Sequence, residues 1–183
     1  GYMDMDKWKA CEVDKVDFTG KEITVSVDMS ISTDLSAINM MYYEEGVYYT
    51  KSIGFLPEES LIGRRERFDY RLAEDIGECH ILDGAVIDYN YVENYIRNIP
   101  NMYKCKIKSI CFDAYNSNQM MMNLAQDFEV VDIKQNYFNL NTPTKEFRNA
   151  VYLNKVKYEK SRLYTWCMSN AITRTDSQEN MML

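Results

Sequence analysis

The sequence predicts an α/β fold built on a mixed five-stranded sheet, three antiparallel strands followed by two parallel ones, flanked by helices. Three observations predict it. Ile23, Val25 and Val27 alternate with Thr24 and Ser26, the period-two pattern of a strand, and the run ends on an acid, Asp28. Glu44-Glu45-Gly46 is a tight turn between two further β-rich runs, which makes an antiparallel meander. Later β-rich runs are each preceded by helical spacing, and a strand reached through a helical crossover tends to lie parallel to its neighbour.

In chain order, residues 4 to 17 carry Trp8 and Cys11 among charges and read as a short helix or lead-in packing on the body. After the Thr19-Gly20-Lys21 turn, strands are expected at 21 to 29, 35 to 43 and 47 to 55. Helical spacing covers 58 to 66 and 68 to 76, with Gly63 as a break and Gly77 as a stop. A short strand fits 78 to 82. Asp88 caps a helix over 89 to 99, whose Tyr89, Val92, Tyr95, Ile96 and Ile99 mark one buried face and which Pro100 is expected to stop. A strand over 106 to 113 again ends in an acid, Asp113. A helix over 116 to 127, a strand over 128 to 133, a helix from Thr142-Pro143-Thr144 to about Leu153 and a last helix over 163 to 172 complete the chain.

With 183 residues the chain suits one domain with a sizeable core, and no apolar run approaches the roughly 18 residues a membrane helix needs. The start, Gly1-Tyr2-Met3-Asp4, lacks the basic and apolar regions of a signal peptide and suggests a piece cut from a longer protein. Five scattered cysteines without C-x-x-C spacing read as reduced thiols, so an intracellular protein is expected. A net charge of −7 argues against holding nucleic acid by bulk electrostatics, yet acids neutralised by divalent metal remain compatible with it.

The chemistry concentrates on the strand-end acids. If the strand ending at Asp113 adds parallel beside the one ending at Asp28, both carboxylates leave the same sheet end and repel unless a cation sits between them. Oxygen ligands favour Mg²⁺ or Mn²⁺, and two ions roughly 4 Å apart would activate water and stabilise the leaving oxygen of a phosphodiester displacement. Asp34 is a candidate ligand for the second ion; equally, it is a turn residue capping Ser32-Thr33. His80, the one histidine, reads as a surface or packing residue. Arg64, Arg65 and Arg67, with Lys155 and Lys157 in a later basic stretch, are either a solvated face or DNA contacts.

Several stretches together resemble the nuclease domain of tailed-phage terminase large subunits. They are Val27-Asp28-Met29-Ser30 with Thr33-Asp34-Leu35-Ser36-Ala37, Gly54-Phe55-Leu56-Pro57, Tyr70, Gly77, Ile87-Asp88-Tyr89, and Phe112-Asp113-Ala114-Tyr115-Asn116 with Gln119. The resemblance continues through Gln135, Leu140, Pro143, Lys145-Glu146 and Trp166-Cys167-Met168-Ser169-Asn170-Ala171. It implies an RNase H-like fold and cleavage of double-stranded concatemeric viral DNA with two Mg²⁺ or Mn²⁺ ions per site. It also implies work in the bacterial cytoplasm during packaging, alongside an ATPase domain, a small terminase subunit and a portal. No G-x-x-x-x-G-K-[ST] occurs, so the chain is expected to be a single nuclease domain without the motor. The family supplies a further acid near its C-terminus. Asp176 is the nearest candidate here, and without such an acid the chain would hold metal poorly and cut weakly.

Two other functions fit parts of the pattern. A non-catalytic module of the same fold would use its basic residues to dock on DNA or a portal. A lobe of an actin-like kinase is suggested by Asp28-Met29-Ser30-Ile31-Ser32-Thr33, although the glycine that lets backbone approach phosphate is missing.

Overall fold

In the computed structural model, which describes residues 1–183, α1 (Met5–Lys9) and β1 (Glu12–Val13) lead into β2 (Glu22–Asp28), β3 (Ser36–Glu44) and β4 (Val47–Pro57). A 3₁₀ turn (Glu58–Leu61), α2 (Tyr70–Asp75) and β5 (Cys79–Leu82) follow, then α3 (Tyr89–Tyr103), β6 (Lys106–Phe112), α4 (Asn118–Leu124) and β7 (Val130–Asp132). The chain continues through α5 (Tyr137–Tyr152), β8 (Val156–Glu159), α6 (Arg162–Asn170), β9 (Arg174–Thr175) and β10 (Met181–Met182).

The expected five strands form a contiguous block that runs to one edge of the sheet. β2, β3 and β4 are antiparallel neighbours, β6 lies parallel to β2, and β7 lies parallel to β6. The sheet is wider than expected, however, with eight strands in the order β1-β8-β4-β3-β2-β6-β7 and β5 paired to the end of β4. β8 was hidden in the basic stretch: Val156 and Tyr158 are fully buried while the lysines between and before them are not, so a four-residue alternation sits inside what composition reads as a solvated loop.

Alternation divides the sheet into two faces. Ile23, Val25 and Val27, with Ile38, Ile110 and Phe112, point to one face and pack against Val92, Ile96 and Ile99 of α3 and Met120 and Leu124 of α4. Each such fully buried aliphatic contributes about 1.5–3 kcal/mol, so this core holds β2 beside β6 firmly. Over part of the other face lie α1, α5 and α6, where Trp8 stacks on Tyr158 at 3.9 Å and Leu163 of α6 lies against Gly54 of β4.

Three boundaries differ from expectation. Residues 58 to 66 make only the 3₁₀ turn, because Gly63 at φ +84° breaks the helix and the following backbone is laid down around Arg64. Pro100 does not stop α3. It sits in the last turn, where one missing N–H costs one bond, and the helix ends at left-handed Lys104, whose N–H reaches the Pro100 carbonyl. α5 starts at Tyr137 rather than Thr142, since the Asn136 side chain accepts from Asn139 N and caps the helix ahead of Pro143.

Candidate functional site

β2 and β6 run parallel with Val27 opposite Phe112, so Asp28, the last residue of β2, and Asp113, the first beyond β6, leave the sheet at the same end. The hydrophobic pattern dictates which way they point. Val27 and Phe112 face the α3 core, and the next residue on each strand faces the opposite side. There both acids line a cleft of about 270 Å³ with Ser26, Ala37, Asn39, Cys111, Gln135 and Leu140.

The two carboxylates are held differently. Asp113 sits in an Asx turn, its Oδ1 accepting from Tyr115 N at 3.0 Å and its Oδ2 from Gln135 N at 3.4 Å. Ser117 Oγ donates to the Asp113 carbonyl, and Asn116 Nδ2 donates to the Met29 carbonyl, which ties the two acid-bearing strand ends together. Asp28 is reachable by solvent but crowded by the cleft walls. That desolvation first, and the Asp113 charge second, push its carboxyl above the usual aspartate range. Two like charges so placed, with Asp28 raised in proton affinity, are an arrangement that a cation relieves.

Asp34 is not brought to the pair. It lies on an exposed bend before β3, and the turn there is capped by Ser30, whose Oγ accepts from Ser32 N, rather than by Asp34. Asp176 also lies elsewhere. Its carboxylate accepts from Gln178 N, Asn180 N and Asn180 Nδ2, bonds that hold its pKa low, with Asn180 the main cause, and that shape the turn between β9 and β10. That hairpin docks on α5 through Asn141 Oδ1, which accepts from Met181 N. No group of three His, Cys, Asp or Glu side chains able to hold a metal ion forms in residues 1–183.

The basic residues separate into three situations. Arg64 is largely internal: it pairs with Glu66 at 2.6 Å, donates to the Thr33 carbonyl and lies over the Tyr70 ring. Arg64 therefore departs from the solvated side of that expectation, since its side chain is mostly covered and already engaged. Arg65 and Arg67 flank it and are exposed, on a segment that the Arg64–Thr33 bond ties to the loop following Asp28. Lys155 is exposed and Lys157 donates to Asn154 Oδ1, but β8 pairs with β4 at Tyr48, six residues from Gly54, which lies opposite Ala37 of the cleft. That is roughly 20 Å along the strand. His80 is a packing residue, stacked on Phe55 and hydrogen-bonded to Tyr91 Oη, with burial lowering its pKa.

Sequence reasoning missed the cleft floor. Ser26 follows from counting back two residues from Asp28, and a lone Asn39 inside an otherwise apolar strand was the available signal for the other floor residue. A larger cavity, about 660 Å³, opens at the opposite end of β2 and β3 around Lys21, Tyr43 and Lys108. Its Glu44 is engaged by Lys21 at 2.6 Å, and no like-charged pair comparable to Asp28 and Asp113 forms there.

Several known proteins resemble this chain in structure or in sequence. The HK97 bacteriophage large terminase superposes with a TM-score of 0.88 at 20% identity, covering 100% of this chain and 39% of that one. The large terminase nuclease of thermophilic phage G20c, solved with bound magnesium, gives a TM-score of 0.54 at 7% identity, covering 88% of this chain and 70% of that one. Protein YmfN of Escherichia coli K12 is 24% identical over 189 residues, 95% of this chain and 41% of YmfN. The chain thus spans about two fifths of both YmfN and the HK97 protein. The structural likenesses concern the fold, which is the RNase H-like mixed sheet with flanking helices that the resemblance implied. The family described as "Terminase large subunit, endonuclease domain" matches residues 1–183, and the chain belongs to that family.

Proposed function

We propose that the chain is a metal-dependent endonuclease that hydrolyses double-stranded viral DNA during genome packaging, with Asp28 and Asp113 as the acids that carry the reaction. The observation behind this reading is their placement on adjacent parallel strand ends in one cleft, where the charge of one raises the proton affinity of the other.

The donor set fits Mg²⁺ or Mn²⁺, since two carboxylates and neighbouring amide oxygens are hard ligands and no imidazole lines the cleft. The magnesium bound by the G20c nuclease supports the same choice. Two such ions, when bound, would supply an activated water and charge neutralisation at the leaving oxygen. The residues of this chain prepare that chemistry. Asp113 is oriented in advance by two backbone N–H groups, and Asp28 is kept crowded enough to favour a cation over solvent. Arg65 and Arg67 stand on the segment tied to the Asp28 loop and are the side chains suited to phosphate contact near the cut, whereas Lys155 and Lys157 are remote from it.

Since the chain spans about two fifths of its HK97 relative, the packaging machine around it is also part of the proposal. Residues 1–183 would act as one nuclease unit beside an ATPase domain, with a small terminase subunit and a portal, in the bacterial cytoplasm. No helix is long and apolar enough to cross a membrane. The test is incubation of supercoiled plasmid with the protein and Mn²⁺ or Mg²⁺. With only two acids in the cleft, slow nicking that disappears with chelator supports the reading, and plasmid left intact by both ions after prolonged incubation at high protein concentration contradicts it.

A further inference from the structure

Beside the acid pair, a polar network across β3 and β4 holds one amide of the cleft floor in a fixed orientation. Ser26 pairs with Asn39 and Asp28 with Ala37, so Asn39 is the diagonal neighbour of Asp28 on the same sheet face. That places the two Cα atoms about 7–8 Å apart. Asn39 Nδ2 donates to Thr50 Oγ1 at 2.5 Å and to Ser52 Oγ at 2.8 Å. Both hydroxyls belong to β4, on the side of β3 away from β2. Using both amide hydrogens in that direction fixes the amide plane and turns Oδ1 back toward β2 and the acids. The anchorage is firm, because Thr50 is fully buried.

A small divalent cation held by one or two carboxylates keeps several waters, and the groups that accept hydrogen bonds from that shell set its affinity. We propose that Asn39 is a positioning residue of the divalent-cation site, its Oδ1 holding the hydration shell of a Mg²⁺ or Mn²⁺ ion carried by Asp28 and Asp113. This rests on the proposed function, and it extends the site to a neutral residue on β3.

Calorimetric titration of the protein with Mn²⁺ alone, without DNA, tests it, with melting temperature as the check on folding and Asp28→Asn as the control. Asn39→Leu removes the acceptor and is expected to weaken Mn²⁺ binding about tenfold. Asn39→Asp keeps the shape, can accept from the two hydroxyls and adds a third carboxylate, so it is expected to tighten binding. Should Asn39→Leu fail to fold, the isosteric Asn39→Asp carries the test by itself. If Asp28→Asn weakens Mn²⁺ binding while the folded Asn39 variants bind like the parent, the role of Asn39 is overturned and the acid pair stands. If Asp28→Asn binds Mn²⁺ unchanged, the acid-pair reading falls first and the role of Asn39 with it.

Discussion

Asp28 and Asp113 stand one residue beyond the Val27–Phe112 pair of two parallel strands, and the Asp113 charge adds to cleft crowding in raising the Asp28 carboxyl above its ordinary value of 3.8. Linkage gives this a sign. A carboxyl whose folded pKa is raised binds more protons folded than unfolded, so its ionisation destabilises the fold as pH rises above the unfolded value. Without metal, Asp28→Asn is therefore expected to melt higher than the parent at pH 7. The difference should shrink as pH falls toward 3.8. Thermal melts across pH check this, and Mn²⁺ should raise the parent's melting temperature more than the variant's.

Arg64 and its neighbours should separate structure from DNA contact. Arg64→Ala is expected to lower stability, because it removes the Glu66 pair, the Thr33 bond and the stacking on Tyr70 together. The double variant Arg65→Ala/Arg67→Ala should melt like the parent but bind duplex DNA more weakly, with a log–log salt slope shallower by about 2. Fluorescence anisotropy at several salt concentrations measures it.

Trp8 should be a stability determinant and not a catalytic one. It is fully buried, stacked on Tyr158 at 3.9 Å, and donates from Nε1 to Thr165 Oγ1 at 3.1 Å. Trp8→Ala is expected to cost about 3–5 kcal/mol in urea unfolding.

Gly54 tests how tightly α6 closes on the sheet. A Cβ there would meet Leu163 Cδ2 and Leu35 Cδ1, each at 2.9 Å. Because both are ends of flexible side chains, Gly54→Ala should cost only about 1 kcal/mol, and the branched Gly54→Val more, by the same unfolding measurement.

What the sequence made legible followed from alternation. Ile23, Val25 and Val27 announced β2, the apolar face of 89 to 99 announced α3, and a helical crossover implied that β6 lies parallel to β2. Those features alone bring Asp28 and Asp113 to one sheet end. β8 was not legible, because four residues among lysines carry too short a period to stand out, and its burial depends on Trp8 from the far end of the chain. The positions of Asp34, Asp176 and Arg64 depended on turn hydrogen bonds formed only after folding: Ser30 caps in place of Asp34, Asn180 engages Asp176, and the Thr33 carbonyl takes Arg64 inward. Asn39 was visible as a polar residue in an apolar strand, but its orientation came from hydroxyls eleven and thirteen residues away.

The central claim is that the acid pair carries DNA cleavage, and plasmid cleavage in Mn²⁺ by Asp28→Asn and by Asp113→Asn tests it most directly. Each variant, folded as judged by its melting temperature, is expected to leave supercoiled plasmid intact while the parent converts it to nicked and linear forms. Parent-like cleavage by either variant would contradict the account.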